Sequence, residues 1–486
     1  MTDPLRHQSA ESPARHGLAW LTVACALYAL IAGALVVGHW QRWQAGVDTG
    51  IYTQVALNAF HGYRSAFENG SDFGVHFSPL LGLFYPLVAI AHSGLALLLA
   101  QVVLIAAVPC ALYAFIRPHV DESLATRLGY IALLYPPLAS QAIADFHILA
   151  CVPLLLIGLL WAADRGRWTW FVLLGVLSLL VREDVSLEFA AIGIVAGIAF
   201  LRAHGGIGTL FADPVKRRQA GIAFLGLAGG AIAVCIAYFG FIQPANGRYG
   251  WYPLLYYHYG ARPRSGIVAQ PPVAPPPNPN ATPFMATAQR ITYLLEAFIP
   301  LAFLPFRTRW WLLAVPGLLV VLASTAQSIR TMGTQYSLLW APWLLIATAV
   351  AVVYVIATAG PRAATRWTNA AIVLCAFFLL AFNPMHLRYY LRPPYHDLAA
   401  ARRALACVPT DASFATHDEW FTHVAGTRPN VSGDIIDNVD YLVYADDYPD
   451  ATFQREIKPK LQAQLAAGRW RVRCTEDNVR AYELAR

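Results

Sequence analysis

Between long apolar runs the sequence places carboxylates and histidines in three short polar segments. The first holds Asp48, Glu68, Asp72 and His76, the second Asp145 and His147 (ADFH), and the third Arg182, Glu183 and Asp184 (VRED). Carboxylates with a histidine can ligate a hard divalent cation, Mg or Mn, or one carboxylate can act as general base toward an acceptor hydroxyl. Asp48, Asp145, His147 and Glu183 are the candidate ligands for such an ion; with His76 and Asp184 they form the candidate catalytic set. Taken singly, each has a plain structural use: Asp48 as a helix N-cap, His147 as a turn residue, Glu183 and Asp184 as partners of Arg182. Chemistry becomes the better explanation when all three segments meet on one side of a scaffold.

That scaffold is a membrane bundle. Of 486 residues, 57% are apolar and 13% charged, against roughly 45–50% and about 25% in soluble globular proteins. A soluble chain is thereby excluded, and 14 Trp, 23 Tyr and 24 Phe fit aromatic belts at membrane interfaces. The net charge of +7 is scattered in twos and threes, with no basic stripe of the kind nucleic acid needs. Eleven spanning stretches are read near 17–38, 95–116, 128–144, 147–163, 168–181, 185–201, 220–241, 289–306, 310–326, 336–357 and 367–384. A twelfth, 78–92, is short and carries Pro79 and Pro86, so it is expected to lie at the interface or re-enter. With the tail 1–16 cytoplasmic, the inside segments hold 14 Lys and Arg, and the outside segments before the C-terminal region, about twice as long, hold 7. The positive-inside rule requires that sense. All three polar segments then lie outside. The fifth span is short, about 21 Å against a hydrocarbon core of roughly 30 Å. It draws Glu183 and Asp184 inward, with Glu188 one helical turn deeper, to a depth where charge usually faces a cavity or a partner.

The chain is therefore read as an α-helical polytopic membrane protein with about 11 transmembrane helices over 17–384, including outer loops 39–94 and 242–288. After 384 ordinary charge returns, and 385–486 reads as a small extracytoplasmic α/β domain with main strands near 411–417 and 439–445 and a further strand in RWRVRC. Cys407 and Cys474 fall in this tail, where an external compartment allows them to pair; the other five cysteines lie in spans. The loop 242–288 contains an extended PPVAPPPNPN run. Before it, RYGWYPLLYYHYG suits an interface belt or a platform for sugars or lipid head groups.

DTGIYTQVALNAFHG, HFSPLLGLFYPL, LYPPLASQAIADFHILACVPLLL, VREDVSLEFAAIGI, NGRYGWYP and QYSLLWAP resemble, in order, the motifs of the bacterial and archaeal membrane family called domain of unknown function two thousand and seventy-nine. That family is grouped with the GT-C glycosyltransferases. The resemblance implies an enzyme of the bacterial inner membrane. It would transfer a sugar from a polyprenyl-phosphate carrier, on the outer face, to an envelope glycan, glycolipid or protein. It also implies an essential acidic residue in the first outer loop, matched here by Asp48, and outer-loop arginines holding the carrier phosphate, for which Arg248, Arg262, Arg264 and Arg330 are the candidates. No strict DxD pair occurs in that loop. A transporter or flippase of a lipid-linked or polar solute, and an envelope-assembly scaffold, are the competing functions.

Overall fold

The protein is described by a computed structural model over residues 16–202, 213–246, 283–326, 329–382, 387–394, 397–433, 436, 438–450 and 453–485. Six stretches form helices long and apolar enough to cross a membrane: α1 (Gly17–Gln41), Leu95–Ile116, Glu183–Arg202, Pro214–Asn246, Ala341–Ala359 and Pro361–Ala381. Their outward faces are apolar, with Leu30, Ile31, Val373 and Leu380 all exposed, as a lipid-facing surface requires. Small residues bring two of them together. A methyl group on Gly193 would lie 2.6 Å from the Phe224 carbonyl oxygen, and one on Gly197 would lie 3.0 Å from that of Gly221.

The remaining five expected spans are shorter helical segments, so among the described residues the expected eleven or so helices comprise six long and five short ones. The stretch 128–144 shows the reason. Its helix begins earlier, at Glu122, where the Asp121 carboxylate accepts the Leu124 N–H at 2.9 Å, and it stops at Leu134. Pro136 and Pro137 lack the N–H groups that would continue it. A window of hydropathy cannot see that break. The freed backbone is satisfied by side chains, as it must be at membrane depth: Ser337 Oγ donates to the Pro137 carbonyl at 2.9 Å, and Gln101 Nε2 donates to those of Gln141, Ala144 and Asp145 at 2.8–3.1 Å. The stretch 78–92 forms the short apolar helix Pro79–Ala91.

The first loop folds over the end of α1 as helix α2 (Val47–Leu57), followed by a small hairpin, β1 (Arg64–Ser65) and β2 (Gly70–Ser71). The C-terminal region forms a five-stranded sheet. Its strands are β3 (Phe414–Thr416), β4 (Val431–Ser432), β5 (Tyr441–Ala445), β6 (Trp470–Glu476) and β7 (Val479–Leu484), in the order β4–β3–β5–β7–β6. β3 is parallel to both neighbours, with Ala415 opposite Ser432 and Leu442, while β7 runs antiparallel to β5 and β6. The strands expected at 411–417 and 439–445 and in RWRVRC are present; β4 and β7 were not anticipated. Phe414 and Val431 on one face of the sheet, and Leu442, Tyr444 and Tyr482 on the other, belong to the buried core of this region.

Cys407 and Cys474 are disulfide-bonded, with Cα atoms 6.5 Å apart and a sequence separation of 67. Closing a loop of that length removes chain entropy worth about 4 kcal/mol from the unfolded state. Cys407→Ser should therefore lower the melting temperature of this region by several degrees, measured against the oxidised parent; an unchanged melt under oxidising conditions would contradict it.

Candidate functional site

Helix α2 begins after Gly46 and places Asp48 in its first turn. Its first two residues grip the second polar segment: the Asp48 N–H donates to Asp145 Oδ2 at 3.1 Å, and the Thr49 hydroxyl donates to Asp145 Oδ1. Gly46 is required here, since a methyl group on it would sit 2.5 Å from the Asp145 carboxylate. Tyr52, one turn after Asp48, brings its hydroxyl to 2.9 Å from His147 Nε2. The turn carrying Asp145 and His147 is held in place by Gln101, whose Oε1 accepts the His147 N–H at 2.8 Å. A cavity of about 80 Å³, lined partly by His39, Gly46, Asp145 and Tyr390, lies behind the pair and is large enough for water.

The third segment joins the same cluster through Arg182, which is 1% exposed. Its guanidinium donates to His147 Nε2 at 2.8 Å and to both oxygens of Asp184, through Nε at 2.8 Å and through Nη2, and it lies 5.7 Å from the Tyr336 ring centre. Glu183, from the same turn, accepts from the Phe77 N–H at 2.7 Å and pairs with His76 Nδ1 at 2.9 Å. All six candidate catalytic residues thus belong to one neighbourhood built from three turns. Of the four candidate arginines, Arg330 donates to the Ser324 carbonyl at 2.9 Å; Arg248, Arg262 and Arg264 lie outside the described residues.

The electrostatics single out Asp48. No side-chain partner engages its carboxylate among the described residues, and burial raises its pKa against the opposing pull of His76 and Arg182. Burial, then the charge of Asp48, pushes Asp145 up to about 7 in spite of the Thr49 and Asp48 donors. For His76 burial acts downward, but the Glu183 carboxylate outweighs it, and the net shift is upward. His76 is thereby held toward the imidazolium, with Nδ1 occupied by Glu183.

Several members of the site went unread or undervalued in the sequence. Arg182 is its hub rather than a local counter-ion, and Thr49, Tyr52 and Gln101 complete the network. Gln101 carried a usable signal, a lone carboxamide within LLLAQVVLI. Arg290 lies beside Arg330 and donates to the Leu322 carbonyl at 2.7 Å; burial, then the like charge of Arg290, pulls Arg330 below the usual range. Asp72 is 2% exposed, and its Oδ2 has no hydrogen-bond partner among the described residues.

Burial pushes Asp72 up from an ordinary 3.8 to about 7, a climb worth roughly 4 kcal/mol at about 1.36 kcal/mol per pH unit. Because the folded pKa is raised, the penalty of keeping Asp72 grows as pH rises from about 4 and levels off above about 7. Asp72→Asn should thus raise the melting temperature more at pH 8 than at pH 5. An equal shift at both values would mean that Asp72 is ionised and paired throughout.

The four residues read as ligands for a divalent cation do not form a ligand set. Both Asp145 oxygens and both Glu183 oxygens already accept hydrogen bonds. A guanidinium can only donate, so His147 Nε2 spends its lone pair on Arg182. Among the described residues no group of three or more His, Cys, Asp or Glu is arranged to hold an ion. The described geometry therefore does not assemble Asp48, Asp145, His147 and Glu183 as joint ligands, and that expectation is corrected.

Comparison with known proteins agrees with this architecture. A family model described as "Predicted membrane protein (DUF2079)" matches residues 39–480. No curated protein matches significantly. Among solved structures, the chain is similar to ArnT from Cupriavidus metallidurans bound to undecaprenyl phosphate, at 10% identity and TM-score 0.55, covering 96% of this chain and 98% of that one. It also matches the apo oligosaccharyltransferase of Archaeoglobus fulgidus, at 12% identity and TM-score 0.49, over 92% of this chain and 71% of that one. At such identities the first likeness speaks for the fold alone. With the family model spanning both the membrane bundle and the terminal sheet, the chain belongs to the DUF2079 family of predicted membrane proteins and carries a GT-C-type fold.

Proposed function

We propose that the protein is a glycosyltransferase of the outer face of the cytoplasmic membrane, using a polyprenyl-phosphate-linked sugar as donor and an envelope glycan, glycolipid or protein as acceptor. In this reading the N-terminus is cytoplasmic and the C-terminal domain extracytoplasmic. The observation that carries the proposal is the state of Asp48. Among the described residues no side chain hydrogen-bonds its carboxylate, burial raises its pKa, and the neighbouring Asp145 already has both oxygens engaged. A raised pKa suits a general base. The acceptor hydroxyl loses its proton to Asp48 as its oxygen bonds to the sugar's anomeric carbon. The bond from that carbon to the carrier oxygen breaks, and polyprenyl phosphate leaves with the electron pair. His76, whose pKa the Glu183 carboxylate raises, and the arginines, of which Arg290 and Arg330 form one pair, would meet the negative charge on the phosphate. Arg248, Arg262 and Arg264 are the further candidates for that role.

The donor half of the proposal is tested by binding. Polyprenyl phosphate added to the purified chain should raise its melting temperature, with Arg330→Ala weakening the effect; the same lipid as a neutral polyprenol should do much less. Equal stabilisation by the two lipids would remove the phosphate site.

A further inference from the structure

Helix α2 has two polar edges, and the proposed chemistry uses one of them. Asp48, Thr49 and Tyr52 turn toward Asp145 and His147. Gly50 and Gln54, four residues apart and so on a common face, turn the other way, into the C-terminal domain. Gln54 is buried, and its carboxamide is fully engaged. Nε2 donates to the carbonyls of Val431 at 2.9 Å and Pro429 at 3.3 Å, while Oε1 accepts from the Ser65 hydroxyl and the Ala66 N–H, both at 3.0 Å. One side chain thus ties α2 to the hairpin of its own loop and to strand β4. Beside it, Gly50 admits the helix Asp418–Val424 so closely that a methyl group would lie 2.5 Å from Phe421 and 2.9 Å from the Thr422 Cα. Thr422 completes the seam by donating its hydroxyl to the Gly46 carbonyl at 2.8 Å, at the residue from which α2 starts.

We infer that Gln54, Gly50 and Thr422 are positioning residues, through which the C-terminal domain sets the depth and rotation of the α2 turn that carries Asp48. Thr422 anchors the chain two residues before Asp48, and Gln54 anchors it six residues after. With both ends fixed, the helix has little freedom to slide toward or away from Asp145. The domain then acts as the outer wall of the site and not as a tethered accessory. A buried carboxamide with all four hydrogen bonds made is costly to disturb, since each lost partner leaves a desolvated group behind. The catalytic part of this inference rests on the role proposed for Asp48; the mechanical part does not.

The experiment has two arms on the full-length chain. In the first, Gln54→Glu removes the donor to β4 at constant volume, and Thr422→Val removes the hydroxyl to Gly46, with Thr422→Ser as the conservative rescue. Both disruptive variants should lower kcat for sugar transfer by about ten- to a hundredfold, the scale of a misplacement near 1 Å. The KM for the lipid donor should be unchanged, and Thr422→Ser should stay near the parent. In the second arm, Asp48→Cys is labelled with a small water-soluble maleimide, alone and combined with Thr422→Val. Loosening the seam should change the labelling rate several-fold while the melt of the membrane bundle stays the same. If kcat falls but the labelling rate is unchanged, the seam does not position residue 48 and the inference fails. If the parent shows no transfer at all, the proposed function fails, and the labelling arm still decides whether the domain sets the α2 turn.

Discussion

Asp48→Asn is expected to abolish sugar transfer while leaving folding and polyprenyl-phosphate binding intact. The substitution is isosteric, and the backbone N–H that holds Asp145 is unaffected. No side-chain hydrogen bond of Asp48 among the described residues is lost, so the structural cost should stay within about 0.5 kcal/mol. What disappears is the proton acceptor, and removing a positioned general base typically costs 10²- to 10⁴-fold in rate. Turnover, melting temperature and lipid-induced stabilisation measured side by side separate these effects. Wild-type turnover in the variant would show that Asp48 is not the base; loss of lipid binding along with turnover would give it a role in holding the donor.

Arg182→Met should have the largest effect on stability. Arg182 is almost wholly buried and joins His147, Asp184 and Tyr336. Removing one partner of such a pair leaves the other charge uncompensated, at a cost of about 3–5 kcal/mol. Replacing both partners, Arg182→Met with Asp184→Leu, should recover much of that loss, because a buried ion pair is often no more stabilising than an apolar one. Thermal unfolding of the purified single and double variants reads the difference. A loss below about 1 kcal/mol in the single variant would mean that the pair behaves as a solvent-exposed one.

The convergence of three polar turns could be read in the sequence because apolar runs of spanning length and the distribution of Lys and Arg together put those turns on one side. Periodicity and charge are local signals and survive without a structure. The functions within the cluster were not legible in the same way. Whether His147 offers a lone pair to an ion or gives it to Arg182 depends on a contact between residues 35 apart. The seam on the back of α2 joins residues more than 370 apart, and nothing in VDTGIYTQVAL distinguishes Gln54 from an ordinary polar helix residue. Pro136 and Pro137 were visible, but an apolar window passed over them and extended a span through a turn whose irregular backbone places Asp145 and His147. Strand β7 was missed for a similar reason: it is defined by its partners β5 and β6, and VRAYEL alone has too few residues to show a period.

The central claim is that this membrane bundle breaks the bond between a sugar and a polyprenyl phosphate. It is tested most directly by reconstituting the purified chain in lipid vesicles with a polyprenyl-phosphate-linked sugar and an envelope extract as acceptor, and measuring release of free polyprenyl phosphate. The account predicts release that depends on the acceptor, is matched by sugar incorporated into it, and is lost in Asp48→Asn. Movement of the intact lipid-linked sugar between leaflets, with no free polyprenyl phosphate formed and no dependence on Asp48, would contradict it and favour a transporter.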